Sequence, residues 1–120
     1  MNDLFTVKQC ETGPDTILAS IALRQDHPIF AGHFPGTPVL PGVCMIQIVK
    51  EIVENQKGES LRLTTSDNIK FLSVINPVTC SRLNVAVNYH ATDDGYQVKA
   101  ALTDSSVTYF KFNGQFTPAI

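Results

Sequence analysis

Long apolar runs, basic excess and paired cysteines are all scarce in this sequence, and each shortage excludes a class of protein. No stretch approaches the roughly 20 apolar residues of a membrane-spanning helix. Met1 to Cys10 carries the acidic Asp3 and has no apolar stretch long enough for a signal peptide. The expectation is a soluble, cytoplasmic protein without a membrane span. Nine Lys and Arg stand against eleven Asp and Glu, a formal net charge of −2. With no basic excess to gather phosphates, nucleic acid is not an expected partner. The three cysteines, Cys10, Cys44 and Cys80, are odd in number and widely separated. That suits reduced thiols used as small packing residues better than a disulfide framework or a zinc site, and no metal is expected.

What the chain does have is apolar content, 43% of 120 residues, enough for one compact domain over 1–120. Its prolines and glycines are bunched. Pro28, Gly32, Pro35, Gly36, Pro38, Pro41 and Gly42 fall in one stretch, where proline rings narrow the backbone and glycines permit close approaches. That stretch reads as a fixed loop. Before it, Leu4 to Cys10 and Thr16 to Arg24 read as a hairpin turning at Gly13-Pro14.

After the loop, Met45, Ile48, Val49, Ile52 and Val53 recur at helical spacing and predict a helix over Val43 to Gln56, with Gly58 as its cap. From Val43 to Val49 it is apolar all round except for Gln47, which predicts a buried first half. Lys50, Glu51, Glu54 and Lys57 give the second half a wet face. Four further strands are expected at Leu61 to Val74, Ser81 to Ala91, Gln97 to Thr103 and Val107 to Phe116. Asp94-Gly95 forms a hairpin turn, and Asn113-Gly114 marks a bulge or break in the last strand. Two strands, one long helix and four strands imply an α+β domain, an antiparallel sheet of about six strands wrapped around one central helix.

The segment from His27 to Val43 contains Gly32-His33-Phe34-Pro35-Gly36 followed by Pro38-Val39-Leu40-Pro41-Gly42. This resembles the hallmark of the hotdog-fold 3-hydroxyacyl-acyl-carrier-protein dehydratases of fatty-acid synthesis, and Ile69-Lys70-Phe71 followed by Pro77 is similar to a later strand and turn of that family. The resemblance extends from about Asp3 to Phe116 and implies the hotdog fold. It further implies that His33 is the base removing a proton from C2 of a 3-hydroxyacyl thioester. The Gly42 backbone N–H, nine positions on, would bind the thioester carbonyl. Those roles match the needs of the reaction: a base near neutral pKa, and positive potential where enolate charge develops.

The family's acid lies fourteen positions after the histidine, and here that position is Gln47, with Glu51 the nearest carboxylate one turn further along. An amide donates a hydrogen bond but gives up no proton. Three sources of a proton then stand open: His33 itself, Glu51 through water, or a partner subunit, since in this family the site forms across a dimer interface. The resemblance implies a carrier-protein-bound or CoA-bound thioester substrate, no cofactor, and a homodimer or assembly of dimers. A heterodimer with a related hotdog subunit is the variant that Gln47 favours. Two rival functions remain, a non-catalytic or acyl-binding subunit and a thioesterase. His27 is read as ordering the loop and His90 as facing solvent.

Overall fold

The computed structural model describes residues 4–30 and 39–119. Strand β1 (Phe5–Thr12) turns back on β2 (Thr16–Leu23), and the Gly13 N–H donates to the Thr16 carbonyl at 3.0 Å to close the turn. In β2 the residues Ile17, Ala19, Ile21 and Leu23 are buried while Thr16 and Leu18 are exposed, the period of two that a sheet with one covered face requires. A short 3₁₀ turn, Pro28–Phe30, follows. There the His27 ring accepts the Ile29 N–H on Nδ1 at 3.0 Å, so His27 orders the chain leading into the loop, as its place before a proline predicts.

Helix α1 (Gly42–Lys57) begins at Pro41, whose missing N–H costs nothing at a helix start, and ends at Gly58. With φ at +68°, Gly58 adopts the left-handed conformation and donates its N–H to Glu54 O at 2.8 Å. One face of α1 is buried: Cys44, Met45, Ile48, Val49, Ile52 and Val53. Glu54 also accepts the Leu61 N–H at 2.7 Å and pairs with Lys50 at 3.8 Å, tying the helix to the strand after it.

That strand is β3 (Leu61–Phe71), followed by β4 (Arg82–Ala91), β5 (Tyr96–Asp104) and β6 (Val107–Pro118). The six form one antiparallel sheet in the order β1-β2-β4-β5-β6-β3, with α1 against its inner face beside β3 and β6. The expected six strands around one helix are present. The Asp94-Gly95 turn joins β4 to β5, with the Thr92 N–H donating to Gly95 O at 2.8 Å.

Three expectations need correction. β3 stops at Phe71 rather than Val74, because Leu72 and Ser73 turn their N–H groups to the single carbonyl of Tyr109. The irregularity expected at Asn113-Gly114 lies across the ladder: β6 runs through, and the extra residues are Thr64 and Asp67 of β3, each at a register shift. Cys10 is exposed, so only Cys44 and Cys80 serve as packing residues.

Gly114 shows why β6 carries a glycine. Phe110, Phe112 and Phe116 line its inner face, and the Phe112 ring leans along the strand to sit 5.6 Å from that of Phe116. A Cβ at Gly114 would come within 2.7 Å of that ring and 2.6 Å of the Thr65 carbonyl oxygen. The aromatic ring occupies the space the glycine leaves.

Candidate functional site

Chemistry near the start of α1 is set by what the first turn leaves uncovered. Pro41 has no side chain to cap the helix, and no acidic residue lies in the first turn. The amides of Gly42 and Val43 therefore carry the positive end of the helix dipole without a side-chain cap from Pro41. Phe71 covers Gly42 from the side: a Cβ on Gly42 would stand 2.8 Å from Cε1 and Cζ of that ring. Phe71 in turn lies 5.3 Å from the buried ring of Phe110. Its place in the sequence predicts a strand residue, but nothing in the sequence signals that it roofs the helix start.

Gln47 is half-buried, and its Nε2 donates to Glu51 Oε2 at 3.1 Å. With Val43 these residues form an i, i+4, i+8 stripe along one side of α1. The buried first half expected from composition is only half realised. Val43 is 68% exposed and Ile46 partly so, because the sheet covers a single face of the helix. Gly42 and Gln47 share this helix, five residues apart. His33 lies outside the described residues, and so does the loop motif from Ala31 to Pro38.

Other apolar groups gather at the same end. The Leu40 N–H donates to Ile75 O at 2.8 Å, holding the segment after β3 beside the start of α1. Phe71 and Val74 there are 55% and 69% exposed. Beside them runs the free side of β3, which pairs with β6 alone among the described residues. An unpaired edge of this length, flanked by exposed apolar side chains, is a ready surface for another polypeptide.

Burial pushes the Cys44 thiol up, and the Cys80 thiol as well, which disfavours the thiolate that nucleophilic attack requires. Cys80 lies 3.6 Å from Asp104 Oδ2 and 3.5 Å from Arg82 O. Together with burial, the Cys80 thiol drives the Tyr109 phenol up to about 12. Among the described residues no group of His, Cys, Asp and Glu has the arrangement of a metal site. No described helix is long and apolar enough to cross a membrane.

A family model described as ApeI-like, ApeI dehydratase, matches residues 9–113. The 3-hydroxyacyl-[acyl-carrier-protein] dehydratase FabZ of Lactobacillus helveticus is 30% identical over 92 residues, which cover 70% of this chain and 62% of that enzyme. A shorter match, 39% over 49 residues, covers 41% of this chain and 11% of the bifunctional enzyme LpxC/FabZ of Porphyromonas gingivalis. The chain thus spans less than two thirds of the length of these curated relatives. Among solved structures, the dehydratase heterocomplex ApeI:P from Xenorhabdus doucetiae superposes with a TM-score of 0.75 at 18% identity, covering 93% of this chain and 96% of that one. An uncharacterized protein from Erwinia carotovora subsp. atroseptica gives 0.64 at 22%, covering 94% and 93%. At these identities the two structures speak for the fold.

Proposed function

This chain belongs to the ApeI-like dehydratase family and has the hotdog fold, and from that premise we propose that it acts in removing water from a 3-hydroxyacyl thioester to give the trans-2-enoyl thioester. The observation that carries the reading is the start of α1, where Gly42 lacks a side-chain cap from Pro41 beside exposed Val43 and half-buried Gln47. The Gly42 N–H and the helix dipole stabilise negative charge on the thioester carbonyl oxygen as the C2–H bond breaks. His33 takes the C2 proton. The C2 electron pair forms the double bond to C3, and the C3 hydroxyl leaves with a proton as water.

Gln47 supplies no such proton. The Glu51 carboxylate that accepts its hydrogen bond stands one turn further along α1. In a homodimer, His33 returns the C2 proton to the leaving oxygen. In a heterodimer, a related hotdog subunit brings a carboxylic acid to the site. The heterodimer is favoured by Gln47, and the free edge of β3 and the exposed apolar end around Phe71 and Val74 offer a contact surface to either kind of partner. The Xenorhabdus neighbour carries the name of a heterocomplex, and the Lactobacillus relative is named for a carrier-protein-bound substrate. An acyl-carrier-protein thioester is accordingly the proposed substrate, with CoA thioesters as convenient analogues.

The test follows hydration of a 2-enoyl thioester and its reverse by the purified chain, alone and mixed with a carboxylate-bearing hotdog dehydratase subunit. His33→Ala and Gln47→Glu run beside the wild type. The chain alone turns over slowly, Gln47→Glu or the partner raises the rate by about 10²- to 10⁴-fold, and His33→Ala abolishes it. Release of free thiol in place of enoyl formation makes the chain a thioesterase. Turnover that survives His33→Ala removes the proposed base.

A further inference from the structure

The outer face of the sheet, opposite α1, carries a groove of about 430 Å³ across β4, β5, β6 and β3. Register places its side chains in two rows. One reads Asn88, Lys99, Asn113, Asn68, and the other Ala86, Ala101, Lys111, Lys70. Lys111 and Lys70 stand directly opposite each other, an arrangement that like charges disfavour. None of the three lysines has a carboxylate in an ion pair among the described residues. The Asp67 carboxylate on β3 accepts a hydrogen bond from the Gln97 amide at 2.9 Å.

The second row continues onto β2, where Leu18, 52% exposed, pairs with Ala86. Across the sheet it therefore runs from an apolar ledge, Leu18 and two alanines, to two cations. Lys99 and Lys70 lie two strand spacings apart across the sheet and two residues apart along it, about 12 Å in all. Among the described residues no hydrogen bond draws the ammonium groups toward one point, as a small anion would require. Measured across the strands, Lys99, Lys111 and Lys70 step by about 5 and 10 Å, near the rise of about 6 and 10 Å of carboxylates at i, i+4 and i+7 of a helix laid across the sheet.

We propose that this groove docks an acidic helix of a partner polypeptide laid across the strands, its apolar turns on Leu18, Ala86 and Ala101 and its carboxylates on Lys70, Lys99 and Lys111. The contact is separate from the free edge of β3 and from the start of α1, and it stands whether or not the chain is catalytic. Charge pairing of this kind sets partner choice and encounter rate, and salt weakens it.

The probe is a synthetic helical peptide with glutamates at i, i+4 and i+7 and leucines on the same side in the two turns beyond them, titrated into the isotope-labelled chain and followed by amide NMR. Inorganic pyrophosphate is titrated in parallel. The peptide shifts the amides of Ala86, Ala101 and Lys111, and about 1 M salt, where screening acts within about 3 Å, releases it. The charge-reversed variant K70E/K99E/K111E, with its fold verified by circular dichroism, binds at least about tenfold more weakly. Leu18→Ser weakens binding with charge unchanged, and Lys8→Glu on β1 leaves it as it was. The proposal is overturned if the peptide does not bind, shifts other amides, or binds the charge-reversed variant equally. It is also overturned if pyrophosphate alone reproduces the shifts.

Discussion

The Gln47 amide reaches the Glu51 carboxylate at 3.1 Å, one turn further along the half-buried side of α1. Replacing Gln47 by Glu exchanges that hydrogen bond for two carboxylates at i, i+4. Like charges so placed cost about 0.2–0.5 kcal/mol and raise the pKa of one of the pair. A carboxyl raised in the folded state withdraws stability as pH climbs through its folded value and none below its unfolded value. Urea denaturation of Gln47→Glu should therefore match wild type in acid and fall below it at neutral pH. Equal curves at both pH values would show that Glu51 does not sense position 47.

Gly114→Ala tests the aromatic packing of β6. The new methyl meets a backbone carbonyl as well as the Phe112 ring, and the carbonyl cannot rotate away. A loss of about 1–3 kcal/mol is expected, the range of overpacked cores. Phe112→Leu in the same background should recover part of it in a denaturant midpoint series. No recovery would place the conflict at the Thr65 carbonyl alone.

Tyr109 predicts an alkaline limit. Its phenol titrates near 10 when unfolded and is pushed to about 12 in the fold by the Cys80 thiol and by burial. A raised pKa supports the fold below about 10, and that support is lost as pH rises toward 12. The melting temperature should decline across this window, and Tyr109→Phe should flatten the decline. Tyr96, raised chiefly by its 2.8 Å hydrogen bond to Glu59, adds in the same direction. Tyr96→Phe separates the two by tyrosinate absorbance.

The apolar end near the start of α1 predicts association. Val74→Asp changes a side chain 69% exposed in the single chain, so stability should shift by no more than about 0.5 kcal/mol. Sedimentation should nevertheless show a lighter species than wild type. An unchanged distribution would remove Val74 from the contact.

Much of this architecture was legible because its signals are local. Met45, Ile48, Val49, Ile52 and Val53 repeat at the period of one buried helix face, and Gly58 marks the left-handed turn that ends it. Leu83, Val85, Val87 and Tyr89 alternate as a half-covered strand does. What escaped depends on partners distant in sequence. Val43 looks buried by composition, but the sheet reaches only the opposite face of α1. The bulges sit at Thr64 and Asp67 although the glycine that draws the eye is Gly114, because register belongs to the pair of strands. The packing of Phe71 over Gly42 joins residues 29 positions apart, and no periodicity reports it. The motif around His33 carried the family by residue identity, which needs no contact to be read.

The strand order also has a temporal side. β3 follows α1 directly, yet its ladder partner is β6, which the ribosome delivers last of the six strands. Until Val107–Pro118 has emerged, α1 lies beside a sheet missing the strand that carries Phe110, Phe112 and Phe116. A nascent chain paused before that point holds its helix without most of its aromatic floor, with an apolar surface open to chaperones or to the wrong neighbour. Long-range closure of this kind is slow, and it makes the emergence of β6 the event that commits the domain to its fold.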